Sequence, residues 1–297
     1  MLTGILAGLA AGALWGLVFV APLMAPGFSA VDFTAGRFLS YGALSFVLML
    51  LFRKSRWPSS RQALAACGLS LLGFTGYYLL LVLAIRDAGT EVPSLIIGTI
   101  PLWMMLLGKP AGLRWGTLLP GLLLTLLGLA LMMRAAVGGA AVDGTGGYFW
   151  RGVAFALASM VCWTAFGLLN AAWLKRHTEV NATTWANWLG VATGLGALLL
   201  WFVAGSGVHQ LRSAPGLLPA VVLAVATGIG SAWLATILWN IASQRLSASL
   251  CGQLIVSETI FALVYAFIWG GHWPTALQGA ACLLFVAGIL ASIRAHR

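Results

Sequence analysis

The chain has 297 residues, of which 61% are hydrophobic and 7% charged, with a formal net charge of +10. A soluble domain carries about 25% charged residues, so this composition excludes a water-covered surface and makes lipid the expected solvent. The basic residues stand in short clusters between apolar runs, the pattern of topology signals and headgroup contact rather than of nucleic-acid binding.

In chain order the apolar runs cover residues 3–22, 31–52, 62–85, 90–108, 115–134, 152–174, 183–205, 215–242, 247–270 and 274–294. Each has about the 20 residues that a helix needs to cross a hydrocarbon core of about 30 Å. No basic segment precedes the first run, which is therefore read as a span rather than a cleaved signal. Pro22 and Pro26 close that run; Arg53, Lys54, Arg56, Trp57 and Pro58 close the second; Lys109 and Pro110 close the fourth. The Gly-rich stretch 135–147, whose one charge is Asp143, separates two halves. The expected fold is an all-α integral membrane protein of ten transmembrane helices: a first five-helix unit at 1–134, a linker at 135–150 and a second unit at 151–297.

Basic residues in short loops set orientation. With the N-terminus in the cytoplasm, Arg53, Lys54, Arg56, Arg61, Lys109, Arg114, Lys175, Arg176, Arg245, Arg294 and Arg297 fall inside. Arg86, Arg134, Arg151 and Arg212 fall outside, and Arg37 lies within the second run. Eleven against four predicts both termini in the cytoplasm.

The halves resemble each other. Trp115-Gly-Thr117-Leu-Leu-Pro-Gly121 opens the fifth run and Trp273-Pro-Thr275-Ala-Leu-Gln-Gly279 the tenth, at an offset of 158 that also carries Ala84 onto Ala242. Gly4 and Trp15 align with Gly152 and Trp163 at a slightly different offset. Five helices per copy is odd, so the second copy enters the membrane from the opposite face. Inverted repeats of this kind bind substrate near the midplane and expose it to either side in turn.

The Trp15-Gly16 pair, the Gly36-Arg37-Phe38 element and the small-residue run from Ser94 to Pro101 resemble those of the drug/metabolite transporter superfamily, in its EamA-domain ten-helix branch. The corresponding run in the second half goes from Ser247 to Glu258-Thr259, where many family members have Glu-Pro. Within the family the chain is most similar to bacterial exporters of aromatic and other hydrophobic amino acids. The resemblance covers essentially the whole chain. It implies a multi-pass protein of the bacterial inner membrane, an exporter and not an enzyme, working by alternating access as a monomer and without a cofactor.

The residues agree with several of these expectations. Cys67, Cys162, Cys251 and Cys282 lie singly in apolar runs, and His177, His209, His272 and His296 lie in loops or at the chain ends, so no metal centre is expected. There is no GxxxxGK[ST] for ATP. There is also no HExxH or buried carboxylate pair for an intramembrane enzyme.

Glu258 is the acidic residue deep inside a run. A charge there costs at least about 2.5–3.5 kcal/mol, so it should face protein or water. It can couple protons, meet a substrate amine, or serve as a structural carboxyl. Arg37 can pair with Asp32, grip a substrate carboxylate, or snorkel to the interface. Trp57, Trp115, Trp150, Trp173, Trp269 and Trp273 fall near run ends, as an interfacial belt would. Trp15, Trp163 and Trp239 fall mid-run, with Tyr77 and Tyr78 in the third run, and they are the candidate walls of an apolar substrate cavity. Thr99, Asn240, Gln253 and Ser257 are polar at similar depth; they can hold a zwitterion's head or bind helix to helix. Gly4, Gly8, Gly12 and Gly16 form a stripe for close helix contact. Gly73 and Gly76, Gly228 and Gly230, and Pro101 are candidate hinges. The expected substrates are hydrophobic amino acids. A multidrug or other metabolite exporter is the alternative.

Overall fold

The computed structural model describes residues 1–24, 27–52, 57–89, 91–137, 148–271 and 273–296. Pro26, Arg53, Lys54, Arg56, Asp143, His272, Arg297 and most of the expected linker 135–150 lie outside the described residues. The described residues form helices, turns and no strand.

Helix α1 is Leu2–Val20, α2 is Ala30–Leu51 and α3 is Ser60–Ala88. Helix α4 consists of two halves, Glu91–Gly98 and Ile100–Leu107, joined at Thr99. Then follow α5 (Trp115–Val137), α6 (Phe149–Arg176) and α7 (Ala182–Ala204). The last three are α8 (Leu217–Arg245), α9 (Ala248–Gly270) and α10 (Ala276–Ala295). A short helix, Val208–Ser213, that the sequence did not announce lies between α7 and α8. By length and composition, eight of the described helical stretches can cross a membrane; α1 and α4 are the shorter apolar ones.

The helix starts are chemically marked. Ser29, Asn181 and Ser247 accept the backbone N–H groups of Asp32, Thr184 and Leu250. Ser59 with Gln62, and Thr275 with Gln278, form reciprocal capping boxes. Each cap satisfies N–H groups that have no partner within the helix. Helix α9 stops at Gly271, whose φ of 65° lies in the left-handed region.

Packing runs mainly between the two halves of the chain. Helix α1 lies on α8 and α9, and α6 lies on α3 and α4. Helix α2 packs on α7, α5 on α10, and α4 on α9. The glycine stripe of α1 is used as its spacing suggests: Gly4, Gly8, Gly12 and Gly16 face Leu246, Leu254, Ser257 and the backbone of Glu258 and Ala262. No side chain could stand between α1 and α9 there.

Two helices are interrupted. In α3, residues 71–75 form a π-helical turn in which the Gly76 N–H reaches the Leu71 carbonyl. In α8, residues 228–234 do the same, the Ala235 N–H reaching the Gly230 carbonyl. These stretches coincide with the glycine pairs Gly73/Gly76 and Gly228/Gly230. An offset of 158 carries 71–75 onto 229–233, inside the second stretch. In α4 the break falls at Thr99, and Pro101 begins the second half of the helix, where its missing N–H costs no hydrogen bond. The expected discontinuity is present, and it is a break ahead of the proline rather than a mid-helix kink.

Candidate functional site

Three helices bring their mid-length tryptophans together. Trp15 of α1, Trp163 of α6 and Trp239 of α8 have ring centroids 6.2, 5.4 and 6.0 Å apart in the pairs 15–163, 15–239 and 163–239. From Trp163 the rings continue through Phe166 (6.0 Å), Phe74 (5.5 Å) and Phe38 (5.9 Å) to Tyr78 (6.4 Å). Helices α1, α2, α3, α6 and α8 thus share one aromatic seam. Edge-on and tilted ring pairs of this kind add about 0.5–1.5 kcal/mol each beyond their buried area. Trp163 packs against both large apolar clusters of the molecule and joins them. Trp239 is 1% exposed, and its indole N–H has no partner among the described residues.

A polar group borders this seam. Arg37 is 8% exposed, and among the described residues its Nε makes no hydrogen bond. Its guanidinium carbon lies 4.9 Å from the Phe38 ring centroid. Glu258 is half-buried and forms no contact ion pair with Arg37. Tyr78 donates to the Ala30 carbonyl at 2.8 Å, tying α3 to the start of α2.

Of the three readings open for Arg37, pairing with Asp32 does not occur. Five residues carry a side chain about 140° around a helix of about 3.6 residues per turn. Asp32 instead accepts from the Ser29 hydroxyl and from the Ser206 backbone N–H at 2.8 Å. It locks the start of α2 to the segment after α7. Snorkelling is also absent, since Arg37 is buried.

Among the polar candidates, helix-to-helix bonding accounts for Gln253 and Asn240. Gln253 donates to Thr125 of α5 at 2.8 Å and accepts from Ser292 of α10 at 3.1 Å. Asn240 accepts from Asn170 of α6 at 3.1 Å and donates to the Ala182 carbonyl of α7 at 3.3 Å. Ser257 bonds back to the Leu254 carbonyl within its own helix at 2.7 Å. Thr99 donates to the Ile96 carbonyl at 2.6 Å and accepts from the Trp103 indole at 3.2 Å, closing the break in α4. All four thus have protein partners in this structure.

Trp173 was expected in the interfacial belt. It stacks instead on buried Trp185, with centroids 3.6 Å apart, and on His177 at 4.2 Å. Trp57, Trp115, Trp150, Trp269 and Trp273 are exposed, as belt residues are. The seam members Phe74 and Phe166 escaped the sequence reading, and Phe38 entered it only as part of the Gly36-Arg37-Phe38 element. The positions of Phe74 and Phe166 carry no mark that separates them from other phenylalanines in apolar helices.

A cavity of about 350 Å³ opens between α1, α8 and α9. Leu17, Val20, Thr227, Gly230, Ser231 and Tyr265 are among its walls. Tyr265 lies seven residues, about two turns, beyond Glu258 on α9. The Ser231 hydroxyl is buried without a partner.

The sequence profile of the EamA-like transporter family matches residues 2–134. The inner membrane protein YtfF of Escherichia coli (strain K12) is 31% identical over 99% of this chain and 96% of its own length. The chain belongs to the EamA-like transporter family. It is a multi-pass membrane transporter of the drug/metabolite transporter superfamily. The uncharacterized transporter YdfC of Bacillus subtilis (strain 168) is 23% identical over 84% of this chain and 78% of its own. One solved crystal structure of a protein superposes with a TM-score of 0.79, at 21% identity, covering 99% of this chain and 97% of that one. That likeness speaks for the fold alone.

Proposed function

We propose that this transporter is a secondary carrier that exports aromatic and other hydrophobic amino acids across a bacterial inner membrane. The single observation that carries this reading is the convergence of Trp15, Trp163 and Trp239 on one aromatic seam, beside one buried positive and one half-buried negative group. Apolar walls with a few polar groups suit a hydrophobic ligand with a charged head.

In this reading α1 to α10 all cross the bilayer, with both termini in the cytoplasm. Residues 1–134 and 151–297 are two inverted five-helix units, linked by 135–150. Two features support that arrangement. Exchanging the halves turns the α1–α9 pairing into α6–α4 and the α1–α8 pairing into α6–α3, while α2–α7 and α5–α10 map onto themselves. The π-helical stretches of α3 and α8 are likewise exchanged. Such turns inside helices recur at functional sites. The carrier acts as a monomer, and its substrates are small molecules.

A multidrug cation exporter is the alternative. Glu258 favours it, but the buried guanidinium of Arg37, over the Phe38 ring of the aromatic seam, disfavours a lone cation.

The test is flux in proteoliposomes loaded with labelled Phe, Trp or Thr, with and without a pH gradient. The reading expects saturable efflux, fastest for the aromatic amino acids. No flux of any amino acid would reject it and leave an unassigned metabolite carrier.

A further inference from the structure

We propose that a groove between α2, α3 and α7 holds an acyl chain of an anionic phospholipid, whose phosphate is met by Arg61. The inference is independent of the carrier's substrate.

Start from the packing. Helix α7 lies against both α2 and α3. On α2 the contact is close, since a Cβ on Gly42 would lie 2.6 Å from the Gly194 Cα. On α3 it is close at Ser70 and Thr193, whose hydroxyls meet at 2.8 Å. One turn nearer the start of α3 the facing side chains are small. Ala63, Ala66 and Cys67 share one face of α3 by their spacing, and Trp188, Ala192 and Leu195 share one face of α7. A groove of about 200 Å³ remains between them. Buried Met49 of α2 lines it, and so does Trp57, whose ring stands 6.4 Å from that of Phe46.

The surroundings then select an acyl chain. The groove faces away from the protein: Leu195 is 65% and Trp57 59% exposed, and Cys67 is exposed too. Helix α7 carries no charged residue, and α3 carries none between Arg61 and Arg86. Water needs polar partners that these walls do not offer. The solvent at this depth is hydrocarbon, and a lipid chain fills such a groove.

Charge selects the head group. Trp57 is exposed at the groove, as an interfacial tryptophan is. Arg61 is exposed in the first turn of α3, two residues before Ala63. It forms no ion pair among the described residues, with Glu179 of the turn between α6 and α7 or with any other carboxylate. The sequence has no acidic residue between Asp32 and Asp87, and it carries Arg53, Lys54 and Arg56 directly before Trp57. A basic cluster beside a span attracts anionic lipid, and the guanidinium fork matches two phosphate oxygens.

The experiment is native mass spectrometry of the purified full-length chain, titrated with phosphatidylglycerol and with phosphatidylcholine of identical acyl chains. The wild type should retain one phosphatidylglycerol about fivefold or more better than phosphatidylcholine. Arg61→Gln should lower phosphatidylglycerol retention about fivefold, the worth of one basic residue at an anionic lipid surface, and leave phosphatidylcholine unchanged. Cys67→Trp fills the groove from an exposed position and should lower retention of both lipids. Gel filtration checks the folding of each variant, and Cys67→Leu, with the same expectation, replaces Cys67→Trp if that variant does not fold. Equal retention of the two lipids by the wild type overturns the inference, as does phosphatidylglycerol retention indifferent to Arg61→Gln. Preference for phosphatidylglycerol that survives filling of the groove overturns it too, leaving only attraction to the basic surface. A wild-type dimer that the groove-filling variant dissociates gives the groove to a second copy of the chain and likewise overturns it.

Discussion

The π-helical turns of α3 and α8 have the same form and different surroundings. The α3 turn is packed on the side of Gly73 to Thr75, where a side chain at Gly73 would overlap the Phe166 ring and one at Gly196 of α7 would meet Thr75, while Leu71 is exposed. The α8 turn is packed on one side and open on the other. A Cβ on Gly228 would lie 2.6 Å from the Arg37 carbonyl oxygen. Gly230, two residues on, has nothing within 4 Å of such an atom and faces the cavity of about 350 Å³. Both turns have one packed and one exposed side, but only the α8 turn borders that cavity. In an alternating carrier this difference is what distinguishes a shut gate from an accessible one, and the roles should exchange during the cycle.

The comparison breaks most severely at Gly228. The clash there is with the backbone of α2, which has no rotamer to yield, so Gly228→Leu should cost more than about 3 kcal/mol and leave little monodisperse protein on gel filtration. Gly73→Ala comes next. Its clash is with a side chain, so a loss of about 1–3 kcal/mol is expected in thermal unfolding, with partial recovery in Gly73→Ala/Phe166→Leu. Absence of recovery would mean that the α3 turn is held by something other than the Phe166 ring. Gly230→Leu should leave the unfolding temperature nearly unchanged and fill the cavity, lowering Phe efflux about tenfold in proteoliposomes. Normal efflux would remove the cavity from the transport route. The smallest effect belongs to Gly230→Ala. It should raise stability by under about 1 kcal/mol through helix propensity and leave efflux intact.

The helices were legible in the sequence because apolar runs and capping residues are local signals. Each helix lies within a few residues of its run, including α7 behind Asn181 and α10 behind Thr275. The glycine pairs marked both interruptions for the same reason, since a backbone that leaves the α register tolerates few side chains. At Gly76 a Cβ would lie 2.5 Å from the Leu71 carbonyl that accepts its N–H. The tryptophans of the seam were legible from their depth, and their mutual contact was not. For Asn240 and Gln253 the sequence left ligand binding and helix-to-helix bonding both open. Their partners, Asn170, Ala182, Thr125 and Ser292, are distant in sequence and meet them only after the halves pack. Spacing along one helix could not reveal that.

We propose that the cavity between α1, α8 and α9 is one access route of the carrier. Its most direct test places a cysteine at Gly230 after Cys67, Cys162, Cys251 and Cys282, all unpaired, are replaced by alanine. Intact cells are then treated with a membrane-impermeant thiol reagent, with and without saturating L-phenylalanine. The account predicts labelling from outside that L-phenylalanine slows several-fold. Labelling from the cytoplasmic face alone, or at a rate indifferent to the amino acid, would contradict it.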